Sequence, residues 1–170
     1  MKKNQTNIPG LMRFLTLIIV LTLVLPALAN GQAKSDFSGT WAFNADKSTM
    51  GEGRMRFGGG DIVVKQDDNL LTVERTRTNR DGETRTTTSK YTLDGKESVN
   101  TMGRSESKST AKWSADGKTL TITTTSSFNG NERTSTEAWT LTDDKTLSIT
   151  SERQGRDDQE IKTTRVYDKK

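Results

Sequence analysis

The stretch "TLTITTTSSFNGNERTSTEAWTLTDDKTLSIT", residues 119–150, holds three runs of β-branched, aromatic and leucine residues. They are parted by Asn129-Gly130-Asn131 and by Asp143-Asp144-Lys145. Within the runs the large apolar groups stand two apart: Leu120 with Ile122, Trp139 with Leu141, Leu147 with Ile149. A period of two belongs to a half-buried strand, whereas a helix would bring its apolar groups round every three or four residues. Asn-Gly and Asp-rich clusters supply the backbone freedom and the side-chain hydrogen bonds of tight turns. The stretch therefore predicts three antiparallel strands in a row, joined by hairpins.

The same alternation continues outward in both directions. Further turns fall at Asp67-Asp68-Asn69, Asn79-Arg80-Asp81-Gly82, Asp94-Gly95-Lys96, Met102-Gly103-Arg104, Ala115-Asp116-Gly117 and Gln154 to Asp158. Between them the pattern predicts ten strands, at 37–45, 61–66, 70–78, 83–93, 97–102, 105–113, 119–128, 131–141, 146–153 and 159–167. No segment beyond residue 29 sustains a helical apolar period. The expected fold is all-β, an antiparallel up-and-down barrel of about eight to ten strands that closes first strand against last, which removes exposed sheet edges. Most of the 28 threonines suit outward strand positions, with a branched carbon for the backbone and a hydroxyl for water. Thr, Lys and Glu on that outer face exclude an outer-membrane barrel, which needs an apolar band there. "DGKTLTITTT" (116–125) resembles "DDKTLSITSE" (143–152), a repeated hairpin too short and too unevenly spaced for a solenoid.

Ahead of the strands lies a different kind of segment. Lys2, Lys3 and Arg13 precede and flank an apolar run from Leu11 to Leu25, which ends in Ala27-Leu28-Ala29. That is the pattern of a secretory signal peptide, residues 1–29, cleaved after Ala29; the run is shorter than the ~20 residues a spanning helix needs. The expected product is one domain, residues 30–170, exported to a periplasm or the extracellular space, with no membrane span after cleavage. Three of the 26 basic residues and none of the 22 acidic ones lie in the leader, so the mature chain is near +1. No basic run with interleaved aromatics appears, and nucleic acid is set aside as a partner. The chain has neither Cys nor His. Thiolate metal sites, thiol nucleophiles and Ser-His triads are thereby excluded, and no cofactor, metal or catalytic residue is expected.

Alternation assigns the faces. Taking the large apolar residues as inward, the inner rows gather Trp41, Leu71, Leu93, Trp113, Leu120, Leu141 and Leu147 at the end bearing the turns at 67, 94, 116 and 143. The other end of the same rows is polar. Trp41, Tyr91, Trp113 and Trp139 are expected to form the closed floor. Arg75, Arg77, Arg85, Arg133, Arg153 and Arg165 all fall on inward rows with one acid, Glu137, while the outward rows carry Lys and Glu. Guanidinium groups on an inner wall suit carboxylate, sulfate or phosphate; the alternative is that they sit at a wet rim, pairing with Glu137 and backbone carbonyls. Strand direction places the connection Asp46 to Gly60 at the polar end, where its glycines and Met50, Met55 and Phe57 suit a mobile lid or a plain flexible loop.

"FSGTW" (37–41), "YTLDGK" (91–96) and the closing "TTRVYDKK" (163–170), on a ten-strand meander, resemble the calycin superfamily, the lipocalins and fatty-acid-binding proteins. The resemblance implies that Gly39 and Trp41 open the first strand with the indole closing the floor. In the fatty-acid-binding branch the last strand carries Arg-x-Tyr, whose guanidinium and phenol hold a ligand carboxylate; the match carries that role to Arg165 and Tyr167. The chain departs from that branch in having Trp139 where another internal arginine stands, a Gly-rich loop in place of a helical lid, and a leader. It departs from lipocalins in having ten strands for their eight.

The paired carboxylates Asp67-Asp68, Asp143-Asp144 and Asp157-Asp158 are turn residues before they are calcium ligands. "RFGGGD" (56–61) lacks the ending of a phosphate loop. The expected function is a non-catalytic, exported barrel that binds a small amphipathic or anionic molecule at an arginine-lined mouth, with Arg165, Tyr167, Arg133, Arg153, Arg75 and Arg85 as its ligand-binding residues. The alternative is a filled barrel that serves as a cell-envelope or protein-partner module.

Overall fold

The computed structural model describes residues 33–49, 59–78, 81–102, 105–128, 131–155 and 159–170. They carry ten strands, β1 (Gly39–Thr49), β2 (Ile62–Gln66), β3 (Leu70–Thr78), β4 (Thr84–Thr92), β5 (Glu97–Met102), β6 (Ser105–Trp113), β7 (Thr119–Phe128), β8 (Asn131–Asp143), β9 (Thr146–Gln154) and β10 (Glu160–Lys169). All pairings are antiparallel, in the order β4-β3-β2-β1-β10-β9-β8-β7-β6-β5. First and last strands close on each other, Trp41 opposite Lys169 and Phe43 opposite Tyr167. The result is a nearly closed up-and-down barrel. Among the described residues no helix is long and apolar enough to cross a membrane.

The hairpins are built by one local device. At Asp94, Asp116 and Asp143 a carboxylate oxygen accepts the backbone N–H two residues on, from Lys96, Lys118 and Lys145. Asp67 accepts from both Asn69 and Leu70 at 2.8 Å. The carboxylates in these turns are thus occupied by backbone amides, which accounts for the repeated Asp. On the outer face threonines hydrogen-bond across strands, Thr76 with Thr86, Thr125 with Thr134 and Thr150 with Thr164, at 3.1 to 3.2 Å.

Closure is incomplete in the middle of the chain, where no backbone ladder joins β4 to β5. Side chains of β5 fill the space between the two backbones instead. The Asn100 amide accepts from Lys90 N–H at 2.7 Å and donates to Lys90 C=O at 2.9 Å, as a paired strand residue would. Ser98 Oγ accepts from Thr92 N–H at 2.8 Å. A seam stitched by side chains takes the place of the full ladder expected from alternation alone.

The core sits at the end of the Asp turns. Phe37, Trp41, Leu71, Leu120, Trp139 and Leu147 are completely buried there, with Trp113 and Leu141 packed against them. The segment before β1 straps across this floor. Ser35 N–H donates to Gly117 C=O, and Gln66 Oε1 accepts from Phe37 N–H while its Nε2 donates to Ser35 C=O. Phe37 is thereby held between Trp113, stacked at 5.7 Å, and Trp139, edge-on at 5.8 Å. Trp41 donates its indole N–H to Phe37 C=O at 2.9 Å. Gly39 precedes it with φ of 145°, and a Cβ there would lie 3.1 Å from Lys169. The positive φ is what asks for glycine at the first position of Gly-x-Trp, since the Lys169 side chain could yield.

The connection between β1 and β2 corrects one expectation. Residues 50–58, with Met50, Met55 and Phe57, lie outside the described residues. Gly59 and Gly60, read above as mobile, are close-packed: a Cβ at Gly59 would fall 2.0 Å from the Phe43 ring, and one at Gly60 2.0 Å from Thr76 C=O. Their glycines serve close approach rather than flexibility. Strand β1 also runs past residue 45 to Thr49, through a bulge in which Ser48 Oγ accepts from Val166 N–H at 2.9 Å.

Candidate functional site

Above the apolar floor lies one charged layer, contributed by three strands that alternation points inward. Arg75 comes from β3, opposite Thr87; Glu137 from β8, opposite Ser151; Arg165 from β10, opposite Ile149. Glu137 is the hub. Its Oε2 accepts from Arg75 Nη2 at 3.1 Å and from the Trp139 indole at 3.1 Å, and its Oε1 accepts from Arg165 Nη2 and, at 3.5 Å, from Ser151 Oγ. Arg165 also donates to Ser151 Oγ at 3.0 Å. The Arg75 and Arg165 side chains are only 14% and 11% exposed, so these are mostly dehydrated contacts. Burial alone would raise the Glu137 carboxyl, but Arg75 and Arg165 overcome it and bring its pKa down to about 2. The guanidinium carbon of Arg75 lies 5.6 Å from the Trp139 ring centre, and the Tyr167 hydroxyl stands against the same group.

Charge in this layer does not balance. Arg77, one inward position further up β3, has no carboxylate of its own among the described residues; burial, together with the like charges of Arg75 and Arg165, lowers its pKa. Directly opposite Arg77 in the ladder is Arg85. Like charges facing across an antiparallel pair repel.

At the polar end a cavity of about 770 Å³ opens between the start of β8, the end of β9 and the start of β10, lined by Arg133, Arg153, Glu132, Gln154 and Ile161 among others. Arg153 Nη2 is buried without a hydrogen-bond partner, as is Arg165 Nε deeper in. A buried donor left without a partner is costly, so both face a strong demand for an acceptor.

The six arginine and tyrosine positions read from sequence thus separate by depth. Arg133 and Arg153 line the mouth cavity. Arg85 is exposed at the rim, on the opposite wall. Arg75 and Arg165 are drawn down to Glu137. Tyr167 is 1% exposed and edge-on to Phe43, part of the packed layer below. Of the four floor aromatics, Trp41 and Trp139 are completely buried, Tyr91 is 9% exposed and Trp113 is half-buried. Sequence reasoning placed Glu137 inward but missed that Trp139 and Ser151 complete its hydrogen bonds. The signal was present in the spacing, since Glu137 and Trp139 share a face two residues apart and Ser151 lies on the inward row of β9.

Comparison with known proteins bears on the fold. No family model and no curated protein matches the sequence. Among solved structures, fluorescent protein UnaG in its wild-type form matches with a TM-score of 0.53 at 17% identity, over 79% of this chain and 97% of that one. The two chains share the barrel fold. Two single-residue variants of the same fluorescent protein match with TM-scores of 0.51 at 18% identity, one over 79% of this chain and 96% of its own, the other over 78% and 95%. At such identity the likeness is one of architecture, and it reaches the whole barrel rather than one hairpin.

Proposed function

We propose that the protein is an exported, non-catalytic barrel that binds a small anionic or amphipathic molecule through its polar mouth. The observation that carries this reading is the mouth cavity of about 770 Å³ with an unpartnered, buried Arg153 donor in its wall, above an interior where guanidiniums outnumber carboxylates. Arg153 and Arg133 take the anionic head, since a planar guanidinium offers paired N–H donors to carboxylate, sulfate or phosphate. Arg165 and Tyr167 form the deeper wall, and Arg85 with Arg77 the facing rim. The apolar part of the ligand lies against Ile161 and the entrance rather than in the floor, which side chains fill. Absence of catalysis is supported by chemistry: the chain has neither His nor Cys, and among the described residues the acid of the inner charged layer is Glu137, a carboxylate that, ionised down to about pH 2 and holding four donors, is neither acid nor base at neutral pH.

The test is titration of the mature chain with an aryl sulfonate fluorophore and with a long-chain carboxylate, read by probe and tryptophan fluorescence. Binding that weakens about tenfold in Arg153→Gln, from loss of one charge-assisted pair, is expected. Failure of both probes to bind, or binding indifferent to Arg153 and Arg133, would sink the proposal. Export is checked separately, by an intact mass of the secreted protein that begins at Asn30.

A second reading, a filled barrel working through its outer surface, is favoured by the complete burial of the lower layer. It gains support if neither probe binds while a partner protein does.

A further inference from the structure

Above the floor the inner wall divides by chemistry as well as by depth. The inward apolar groups are spent on one another: Val73, Leu120, Ile122, Trp139 and Ile149 are each at most 1% exposed, so none of them offers a surface to an incoming hydrocarbon. On β6, β7 and β8 the inward groups that solvent still reaches carry hydroxyls. Ser107, Thr124, Ser126 and Ser135 are all half-buried. They are not scattered. Residues directly opposite in a ladder share a face, and the register sets these in two rows, each of which starts from a mouth arginine. Arg133 stands opposite Ser126, and Ser126 opposite Ser107. One step deeper, Arg153 stands opposite Ser135, Ser135 opposite Thr124 and Thr124 opposite Ser109. With strands about 4.8 Å apart, each row runs on the order of 10 Å along the wall, the length of a short saccharide. The hydroxyls keep capacity for a ligand. Ser109 and Thr124 hydrogen-bond each other at 2.9 Å and Ser107 Oγ donates to Asn100 C=O at 3.2 Å, yet each hydroxyl has one donor and two acceptor sites.

We propose, resting on anion binding at the mouth, that the ligand is an acidic saccharide. Its carboxylate or phosphate lies on Arg133 and Arg153, and its ring hydroxyls exchange hydrogen bonds with Ser126, Ser135, Thr124 and Ser107. An acyl chain laid on the same wall would strip water from these hydroxyls and return no hydrogen bond, which is unfavourable at every contact. A sugar hydroxyl both donates and accepts, as the wall does, so it replaces water bond for bond. The rest of the cavity lining agrees. Glu132 and Gln154 stand beside the two arginines, and a carboxylate there opposes a bare anion but accepts from a hydroxyl. The cavity of about 770 Å³ has room for more than one sugar ring.

The experiment titrates the isotope-labelled mature protein with glucuronate and with glucose-6-phosphate, each beside a counterpart without hydroxyls, cyclohexanecarboxylate and cyclohexylmethyl phosphate, and follows the amide resonances. Each pair shares a six-membered ring and an acid group, so the difference in affinity reads the hydroxyls. At least one sugar acid is expected to bind about tenfold more tightly than its counterpart, with shifts at Ser126 and Ser135, and the tighter of the two names the acid group. The double variant Ser126→Ala with Ser135→Ala, at half-buried positions, keeps the circular dichroism spectrum, weakens the sugar acid about tenfold and leaves its counterpart unchanged. Arg153→Gln weakens all four ligands. Failure of both sugar acids to bind, equal affinity within both pairs, or a sugar-acid affinity indifferent to the double variant overturns the saccharide. In the last two cases anion binding at the mouth still stands if Arg153→Gln weakens the ligands; binding indifferent to Arg153 overturns both.

Discussion

At the scale of the residue, Glu137 sets the terms for everything above the floor. It is the inward carboxylate that lets two arginines be buried, and its removal leaves them facing each other. Glu137→Gln keeps the shape and loses the charge, so the expected cost is about 3 kcal/mol, at the lower end for a broken buried pair because the carboxylate side chain is 23% exposed. Urea unfolding of both proteins at neutral pH measures it. The same quantity follows from linkage. The carboxyl falls from an ordinary 4.5 to about 2 in the folded protein, so the unfolded chain takes up the proton first as pH drops. The stabilisation is therefore complete above pH 4.5 and is lost as pH falls from there towards 2. Its full size is about 3 kcal/mol, at about 1.4 kcal/mol per unit of pKa. A wild-type minus Glu137→Gln difference that stays constant between pH 5 and pH 2 would contradict the assignment.

At the scale of the element, the seam between β4 and β5 is where the barrel departs from its pattern. Asn100 holds both backbone groups of Lys90, and Ser98 holds the Thr92 amide. Asn100→Ala removes two hydrogen bonds and opens the Lys90 amide, with an expected loss of about 1 to 2 kcal/mol. The sharper readout is hydrogen exchange: Lys90 N–H loses protection in the variant while the Thr150 amide, in the β9–β10 ladder, keeps it. What was legible in the sequence follows the same division. All ten strands could be read because period two and Asp turns are local signals, and Leu120, Ile122, Leu147 and Ile149 fixed the inward face without tertiary information. The seam could not be read, since Ser98 and Asn100 look like any polar strand residues until the distance between β4 and β5 is known. Gly59 and Gly60 carried the wrong inference for a related reason. A glycine needed for close approach to Phe43 and Thr76 has the same letter as a glycine in a free loop, and contact partners 16 residues away are invisible in the pattern. In the site, inward arginines were legible, but their depth was not, because Arg165 is drawn to Glu137 from another strand.

At the scale of the whole molecule, the chain closes with its ends and stays unlatched in its middle. β1 and β10 form a ladder, broken once by the bulge in β1, from opposite ends of the sequence, whereas the consecutive strands β4 and β5 form none. Every other ladder joins neighbours in sequence. The order of synthesis thus contains one expensive closure, in which Trp41 must find Lys169 across almost the entire domain. Both ends already meet at the floor, where Lys170 N–H donates to Thr40 C=O and Ser35 N–H to Gly117 C=O. A circular permutant that begins at Gly95, joins Lys170 to Lys34 through ~8 Gly and Ser residues and ends at Asp94 would run β5 to β10 and then β1 to β4. In it spatial order and sequence order coincide, and the one break in the ladder falls at the new termini. Rates of folding rise as contacts become local, so the permutant is expected to refold about tenfold faster than the parent, and to lose no more than about 1 to 2 kcal/mol through the freed β4–β5 turn. Stopped-flow fluorescence of Trp41, Trp113 and Trp139, all within the floor, follows both chains directly. Slower refolding, or a permutant that fails to form the barrel, would mean that the β4–β5 turn nucleates the fold and that closure of β1 on β10 is not the limiting event.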